Sequence, residues 1–390
     1  MSVAMAALGD VVEVRGGGTP SKANPAFWNG HIPWVSPKDM KRWEISDAED
    51  KITSDAIENS ATNLIPPNSV LVVNRSGILK HTLPVGITRR EVAINQDLKA
   101  LICNGRAYPE YIAHMIKAAE PIVLKWVRAT TADNFSIENL RSLEIPLPPF
   151  REQRRIAAIL DKADALRSKR KYAVELLENL KQSLFVEIFG DPINNPKGWR
   201  ERSLADFETF LTSGSRGWAK YYSQSGKAFI RIQNLQQGEL STNEVQYVDP
   251  PDSAEARRTT VQSGDVLISI TADLGRTAIV PDSLDHRAHI NQHIALVRTK
   301  GINPAYLSMY LASPAGKLQF DALNRQGVKA GLNFDNIRSL KILEPPLSIQ
   351  NKYVSLRTKI GKIAEVHARE ARAAHLLFSS LQHRAFSGQL

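Results

Sequence analysis

The chain repeats itself once, and this constrains its fold more than any other feature. Leu8-Gly9-Asp10 matches Leu204-Ala205-Asp206, and Ile94-Asn95-Gln96 matches Ile290-Asn291-Gln292, at an offset of 196 residues (94 to 290). At an offset of 197 (141 to 338), Arg141-Ser142-Leu143 matches Arg338-Ser339-Leu340, Pro148-Pro149 matches Pro345-Pro346, Gln153 matches Gln350 and Phe189 matches Phe386. Anchors kept in order at one nearly constant offset require a duplicated unit. The period is far beyond that of a solenoid, so each copy has the size of a domain.

Both copies have the same layout. Short apolar runs bounded by turn residues read as strands: Val70 to Val73, Leu98 to Ile102, Val266 to Ile268 and Ile294 to Val297. A helical stretch follows, from Pro109 to about Lys117 and from Pro304 to about Leu311. Each copy then closes on Pro-Pro and a long helical pattern. The boundaries that result are 1–150 and 191–346 for two α/β (α+β) domains, and 151–190 and 347–390 for two long helices.

The first helix is expected from about Arg151 to Phe189, stopped by Gly190-Asp191-Pro192. Its apolar residues Ile159, Ala163, Leu166, Ala173, Leu177, Leu180 and Leu184 form a heptad seam interrupted at Arg170. The second copy of the seam reads Leu356, Ile360, Ile363, His367, Glu370, Ala374, Leu377 and Leu381. About 39 residues rising ~1.5 Å each reach nearly 60 Å, longer than a compact domain of this size needs, which points to helix-on-helix pairing. Asp191 to Trp199 reads as the linker between copies.

Motifs for chemistry are missing. Gly16-Gly17-Gly18 lacks dinucleotide-loop spacing, there is no GxxxxGK[ST] loop, and the nine histidines show no paired metal spacing. Asp249-Pro250-Pro251-Asp252 lacks the aromatic residue with which an amino-methyltransferase stacks on a flipped base. Pro251-Asp252 and Pro281-Asp282 lack the lysine partner of a nuclease and read as polar turns. The single cysteine, Cys103, excludes an internal disulfide and a cysteine-rich zinc site, and fits a reducing cytoplasm. Met1 to Leu8 does not read as a signal peptide, and no apolar run approaches the ~20 residues of a membrane span.

A formal net charge of +10 instead suggests a polyanionic partner. Arg75-Ser76-Gly77, with Lys80 and His81, puts an arginine beside a close-approach backbone at a strand end, suited to phosphate and base edges. The matching place in the second copy holds Ser269, Thr271, Asp273 and Arg276. One further loop pairs Arg15, Thr19, Ser21 and Lys22 with Ser213, Ser215, Arg216 and Lys220. Another pairs Lys125, Arg128, Thr130, Thr131 and Asn134 with Arg325, Gln326, Lys329 and Asn333. Lys38 and Arg231 complete the candidate DNA-contacting set. The amides of Asn95-Gln96 and Asn291-Gln292 suit adenine. Their presence in both copies favours a structural role, because copies that read different half-sites should differ where they touch bases.

Gly18-Thr19-Pro20-Ser21-Lys22, the segment Trp28 to Val35 ending in Lys38-Asp39-Met40, and Arg141 to Pro149 followed by Glu152-Gln153 together resemble the type I restriction–modification specificity subunit. The second copy departs from the pattern, with Gly226 to Ile230 in place of the Ile-Pro-Trp segment and Leu343-Glu344-Pro345-Pro346 in place of Ile-Pro-Leu-Pro-Pro. The resemblance implies two target-recognition domains separated by two antiparallel helices in a pseudo-two-fold tandem repeat. Each domain would bind one half of a bipartite site in double-stranded DNA. The helices would act as a ruler and dock methyltransferase subunits, two of them, which carry S-adenosylmethionine and methylate adenine N6. A separate motor–nuclease subunit would cut. The chain itself would bind no cofactor or metal, perform no catalysis and act in the cytoplasm. Antiparallel pairing would bring Arg170 to His367 and Glu370. A stand-alone DNA-binding protein, or a specificity subunit of a type II or non-cleaving methylation system, remains open. Ile156, Leu176, Phe185 and Ile188, off the seam, favour further partners.

Overall fold

The repeat anchors recur because they touch one another. The computed structural model describes residues 4–128, 133–325 and 331–390. These fall into two compact units, one of residues 1–173 with 367–390, the other of residues 174–366. In the first, Leu8 N–H donates to Leu143 O at 2.9 Å, and strand Met5–Ala7 pairs antiparallel with Glu144–Pro146. In the second, Leu204 N–H donates to Leu340 O at 2.8 Å, and Arg200–Ser203 pairs with Lys341–Glu344. Each copy therefore ties its start to its end.

Between those ends the described residues of each unit form two larger sheets, and the second unit adds a two-stranded pair, Leu235–Gln236 with Glu239–Leu240. In the first, the order is Val12–Gly16, Leu98–Cys103, Val70–Val73, Val85–Thr88, Glu44–Ile45, and beside it Asp50–Ile52, Trp28–Val35, Val92–Ile94, Leu64–Ile65. In the second it is Glu208–Ser213, Ile294–Thr299, Val266–Ser269, Thr277–Ile279, and beside it Tyr222–Ser223, Gln246–Val248, Lys227–Ile230, Ala288–Ile290. The runs Val70 to Val73 and Val266 to Ser269 are buried throughout, as central strands covered on both faces must be. The mixed helix-and-sheet class read from the sequence is the class observed.

The repeated Ile-Asn-Gln is a seat for a glycine. A Cβ on Gly17 would stand 2.0 Å from Ile94 O, and one on Gly214 would stand 2.0 Å from Asn291 O, so only glycine fits. The repeated glutamines are clamps, each about 1% exposed. Gln153 Oε1 accepts Tyr108 N–H at 2.8 Å, and its Nε2 donates to Arg106 O and Pro148 O, each at 2.9 Å. Gln350 repeats this with Asn303 N–H at 2.8 Å and Pro345 O at 2.7 Å.

The long helices are Phe150–Phe189 and Leu347–Phe386, each of 40 residues. Gly190 ends the first in the left-handed region (φ +82°). The segment expected as a linker is a folded cap. Lys197 Nζ donates to Glu187 O and Ile188 O at 2.8 Å, and Trp199 Nε1 donates to Phe189 O at 2.8 Å. Within the first unit the helix segments run antiparallel, since Arg167 lies over the Phe378 ring while Arg170 meets residues 367–370. Arg170 Nη1 is 2.8 Å from Glu370 Oε2 and 3.5 Å from His367 Nδ1, the expected cluster.

The seam is only partly realised. Ala163 and Ala374 are buried, but Leu166, Leu180, Ile363 and Leu377 are exposed. Ile156 and Phe185, expected to face partners, are core residues instead. Ile156 joins Ala157 and Leu160 in the first core, and Phe185 packs with Phe189, Tyr306 and Tyr353 in the second. Ile188 is partly buried against that second core, and Leu176 is exposed. The helix ends are claimed by the sheet-bearing cores, whose shape overrides the heptad phase. Among the described residues, no helix is long and apolar enough to cross a membrane.

Two outcomes follow from this packing. Gln153→Ala removes three buried bonds and strands their backbone partners, which should cost about 3 kcal/mol. Denaturant unfolding with hydrogen exchange at the Tyr108 amide reads it, and an unchanged midpoint would refute the clamp. In the second unit His289 is buried against Trp218, and burial, then Lys227, pushes its imidazole down to about 4. The unfolded chain takes up that proton first, near pH 6.5. Stability should therefore be intact above pH 6.5 and fall as pH drops toward 4, by roughly 3 kcal/mol across the window. Melting curves of wild type and His289→Gln test this: the variant should lose that component of the slope, and equal slopes would contradict it.

Candidate nucleic-acid interface

Three loops of the first unit are laced into one surface at the end of strand Val70–Val73. Asn74 and Arg75 both donate their N–H to Asp97 O, at 2.8 and 3.1 Å, and Ser76 N–H donates to Asp133 O at 2.9 Å. Asn134 pairs through its backbone with both Arg75 and Arg128. Upon this frame Arg75 Nε sits 2.6 Å from Asp97 Oδ1, with its side chain about half exposed. Lys80 is 3.7 Å from Asp133, and Ser76 Oγ accepts the N–H of Ile78, capping a short turn. Thr19 Oγ1 bonds the side chain of Gln96, which attaches the Gly-rich loop to the same surface. Thus Thr19, Arg75, Ser76, Lys80, Arg128 and Asn134, candidates from separate stretches of the sequence, come together in the fold.

Lys99 was missed. It stands in strand Leu98–Cys103, whose apolar neighbours made the whole run read as core. In the fold it lies opposite Gly16 and Val72 and beside Arg75. Burial, then the Arg75 charge, pushes its ammonium below the usual lysine range. Lys99 and Arg75 thus place two like charges beside the single Asp97 carboxylate, which leaves this spot net positive.

Of the remaining first-unit candidates, Lys38 is answered within its own domain, and Ser21 and Lys22 follow Thr19 on the same loop. Lys38 is held by Asp50 at 2.9 Å and Glu49 at 3.3 Å, and the Asp50 bond raises its pKa. Its charge is answered within the domain, which argues against a phosphate role. Lys22 is exposed, and Ser21 O accepts Trp28 Nε1–H at 3.1 Å, pinning the loop to the Trp28–Trp34 pair. Thr130 lies outside the described residues.

The second unit builds the same place from different side chains. Thr271 Oγ1 bonds His293 Nδ1, and Gln292 Nε2 lies 3.0 Å from His293 Nε2. Arg276 is paired with Asp273, and Ser269 Oγ accepts Arg276 N–H at 2.8 Å. Arg216 and Lys220 are exposed, with Lys220 4.9 Å above the Tyr221 ring. One expectation is corrected. Ser215 is fully buried against Thr259, because its backbone fills the Asn291 seat. Asn333 caps helix Phe334–Ser339 through Asn336 N–H at 2.8 Å, so its side-chain oxygen is already used. Arg231 is half-buried, and its N–H donates to Asn234 Oδ1 at 3.0 Å. Lys329 and the side chain of Arg325 lie outside the described residues. Asn95 and Asn291 are buried, and each accepts the N–H two residues on, turning its own loop.

Both surfaces offer fixed donors on rigid strand ends, which suits phosphate oxygens and base edges. Comparison with known proteins agrees. The sequence model of the family described as type I restriction modification DNA specificity domain matches residues 2–176 and 196–371. The chain is 44% identical over 162 residues to the type I restriction enzyme EcoR124I/EcoR124II specificity subunit of Escherichia coli, covering 41% of this chain and 40% of that protein. It is 29% identical over 250 residues to the MjaIX specificity subunit of Methanocaldococcus jannaschii, covering 59% and 57%. The matched stretch is thus about half the length of each of these relatives. Among solved structures, the S subunit of a type I system from M. genitalium aligns with a TM-score of 0.61 at 13% identity, covering 99% of this chain and 96% of that one. With both of its repeats matched, the chain belongs to the type I restriction–modification DNA specificity family and carries that domain twice.

Proposed function

We propose that the chain is a DNA-recognition subunit without catalytic activity, reading a bipartite double-stranded site with one half-site per repeat. The observation that carries this reading is the contrast between constant seat and variable tip. The glycine seat, the glutamine clamp and the strand closure are the same in both units, while Arg75 with Asp97 in one faces Thr271 with His293 in the other. Selection for two different half-sites on one scaffold leaves that pattern.

The family role further supports partners of two kinds: methyltransferase subunits, two of them, holding S-adenosylmethionine and acting on adenine N6, and a motor–nuclease subunit. Exposed Tyr172, Leu176, Leu180 and Leu376 on the long helices favour this over a stand-alone DNA-binding protein, which would leave those helices polar.

Three outcomes test the reading. The rigorously purified chain should show no methyltransferase, nuclease or ATPase turnover, and turnover would refute it. Its DNA affinity should fall with a slope of roughly −0.9 per neutralised phosphate in log K against log salt. Arg75→Ala should cost about 1–3 kcal/mol and relax preference in one half-site only. Titration of fluorescent duplexes at several salt concentrations reads both effects, and equal weakening on all sequences would demote Arg75 to a phosphate contact.

A further inference from the structure

We infer that the residue two places after the repeated asparagine, Asp97 in the first unit and His293 in the second, is a positioning residue that sets half-site specificity by fixing its unit's reading side chain. This rests on the DNA-recognition reading above. The two sites correspond residue by residue at an offset of 196 (97 to 293; 75 to 271; 95 to 291). Asn95 Oδ1 accepts Asp97 N–H at 3.1 Å, and Asn291 Oδ1 accepts His293 N–H at 3.2 Å, so one turn presents both residues. The backbone link to the reading strand is also shared: Asn74 N–H donates to Asp97 O at 2.8 Å, and Ile270 N–H donates to His293 O at 2.9 Å. In the first unit Arg75 N–H also donates to Asp97 O at 3.1 Å, and in each unit the side chain of this residue bonds the reader one position further on.

The chemistry of the two pairs differs in a definite way. Asn95 Nδ2 donates to Asp97 Oδ2 at 3.0 Å, which aims Oδ1 at Arg75 Nε, 2.6 Å away. A carboxylate on Nε fixes the guanidinium plane and leaves the Nη1–Nη2 edge to pair with two acceptors side by side. Guanine O6 and N7 offer that pattern in the major groove. The same carboxylate repels a phosphate, biasing Arg75 toward the base. In the second unit Gln292 Nε2, a donor, faces His293 Nε2, so that nitrogen accepts and Nδ1 carries the proton. Nδ1–H then donates to Thr271 Oγ1, which leaves the hydroxyl hydrogen as a single donor to a base acceptor.

The test is selection of bound duplexes from a random pool by the full chain, followed by sequencing, for wild type, Arg75→Ala, Arg75→Lys, Asp97→Asn, the Arg75→Ala/Asp97→Asn double variant and His293→Phe. Melting curves establish which variants fold. Wild type should enrich a two-part motif containing a guanine that Arg75→Ala ceases to prefer, a drop of roughly 5- to 150-fold. Asp97→Asn should lose the same base pair and no other, the double variant should be no worse than Arg75→Ala, and His293→Phe should alter the other half-site only. Arg75→Lys, which keeps the charge but has no Nε to be held, should show the same single-position loss even if Asp97→Asn does not fold. Retained preference in Asp97→Asn or Arg75→Lys, or uniform weakening at all positions, overturns the positioning role while leaving DNA recognition intact. A wild-type chain that enriches no motif overturns the DNA-recognition reading itself.

Discussion

A buried glutamine at the start of each long helix is the interaction on which the rest of each unit depends. Gln153 joins the turn before helix Pro109–Ala118, the Pro-Pro segment and the helix start in one three-bond node, and Gln350 makes the matching node in its unit with two bonds. Such a node is costly to leave half-made in a dry interior, so the helix cannot slide relative to the sheets. Tyr111 and Tyr306 reinforce it by donating from their hydroxyls to Pro146 O at 2.7 Å and Leu343 O at 2.8 Å. With the start strand closed on the end strand, each unit becomes a rigid frame whose far strand ends are free to vary.

That frame explains the electrostatics of the tips. Arg75 and Lys99 crowd one strand end, relieved in part by Asp97, while Lys80 pairs with Asp133. Repulsion of this kind is affordable only where stability comes from elsewhere, here from the apolar layers around Val70 to Val73 and from the helix residues Ile156 to Ala163. The acids serve more than charge balance, since a held guanidinium loses less freedom when it meets its target. A tip tuned for recognition therefore needs both a cation and the group that orients it.

The helices divide their surface by the same logic. Near their ends, aromatic and aliphatic residues such as Phe185, Phe189, Tyr353 and Phe378 are drawn into the cores. Around Arg170, where no core competes, the contact narrows to an ion pair with Glu370 and a bond to His367, and apolar side chains such as Tyr172 stay exposed. An ion pair at that point contributes little to stability but fixes register, because a slip of one turn would part the charges.

The sequence alone determined the duplication, the central strands, the first long helix to within a residue, the start of the second (which ends at Phe386, four residues before the expected 390), and the Arg170 cluster. These depend on period, spacing and chain-local stop signals, which are written along the chain. It also identified most of the first unit's tip, because strand-end turns and basic residues are local features. Lys99 was invisible because one lysine in an apolar strand is indistinguishable from a core run until the opposite glycine is known. Ser215 looked like a contact because a hydroxyl in a basic loop does not reveal whether it faces outward or into the core. Ile156 and Phe185 were assigned to partners because heptad phase ignores the sheet that packs on a helix end. Only the tertiary structure decided these points, since each depends on which distant residue arrives opposite, and burial and hydrogen bonding are settled by that meeting rather than by neighbours in the chain.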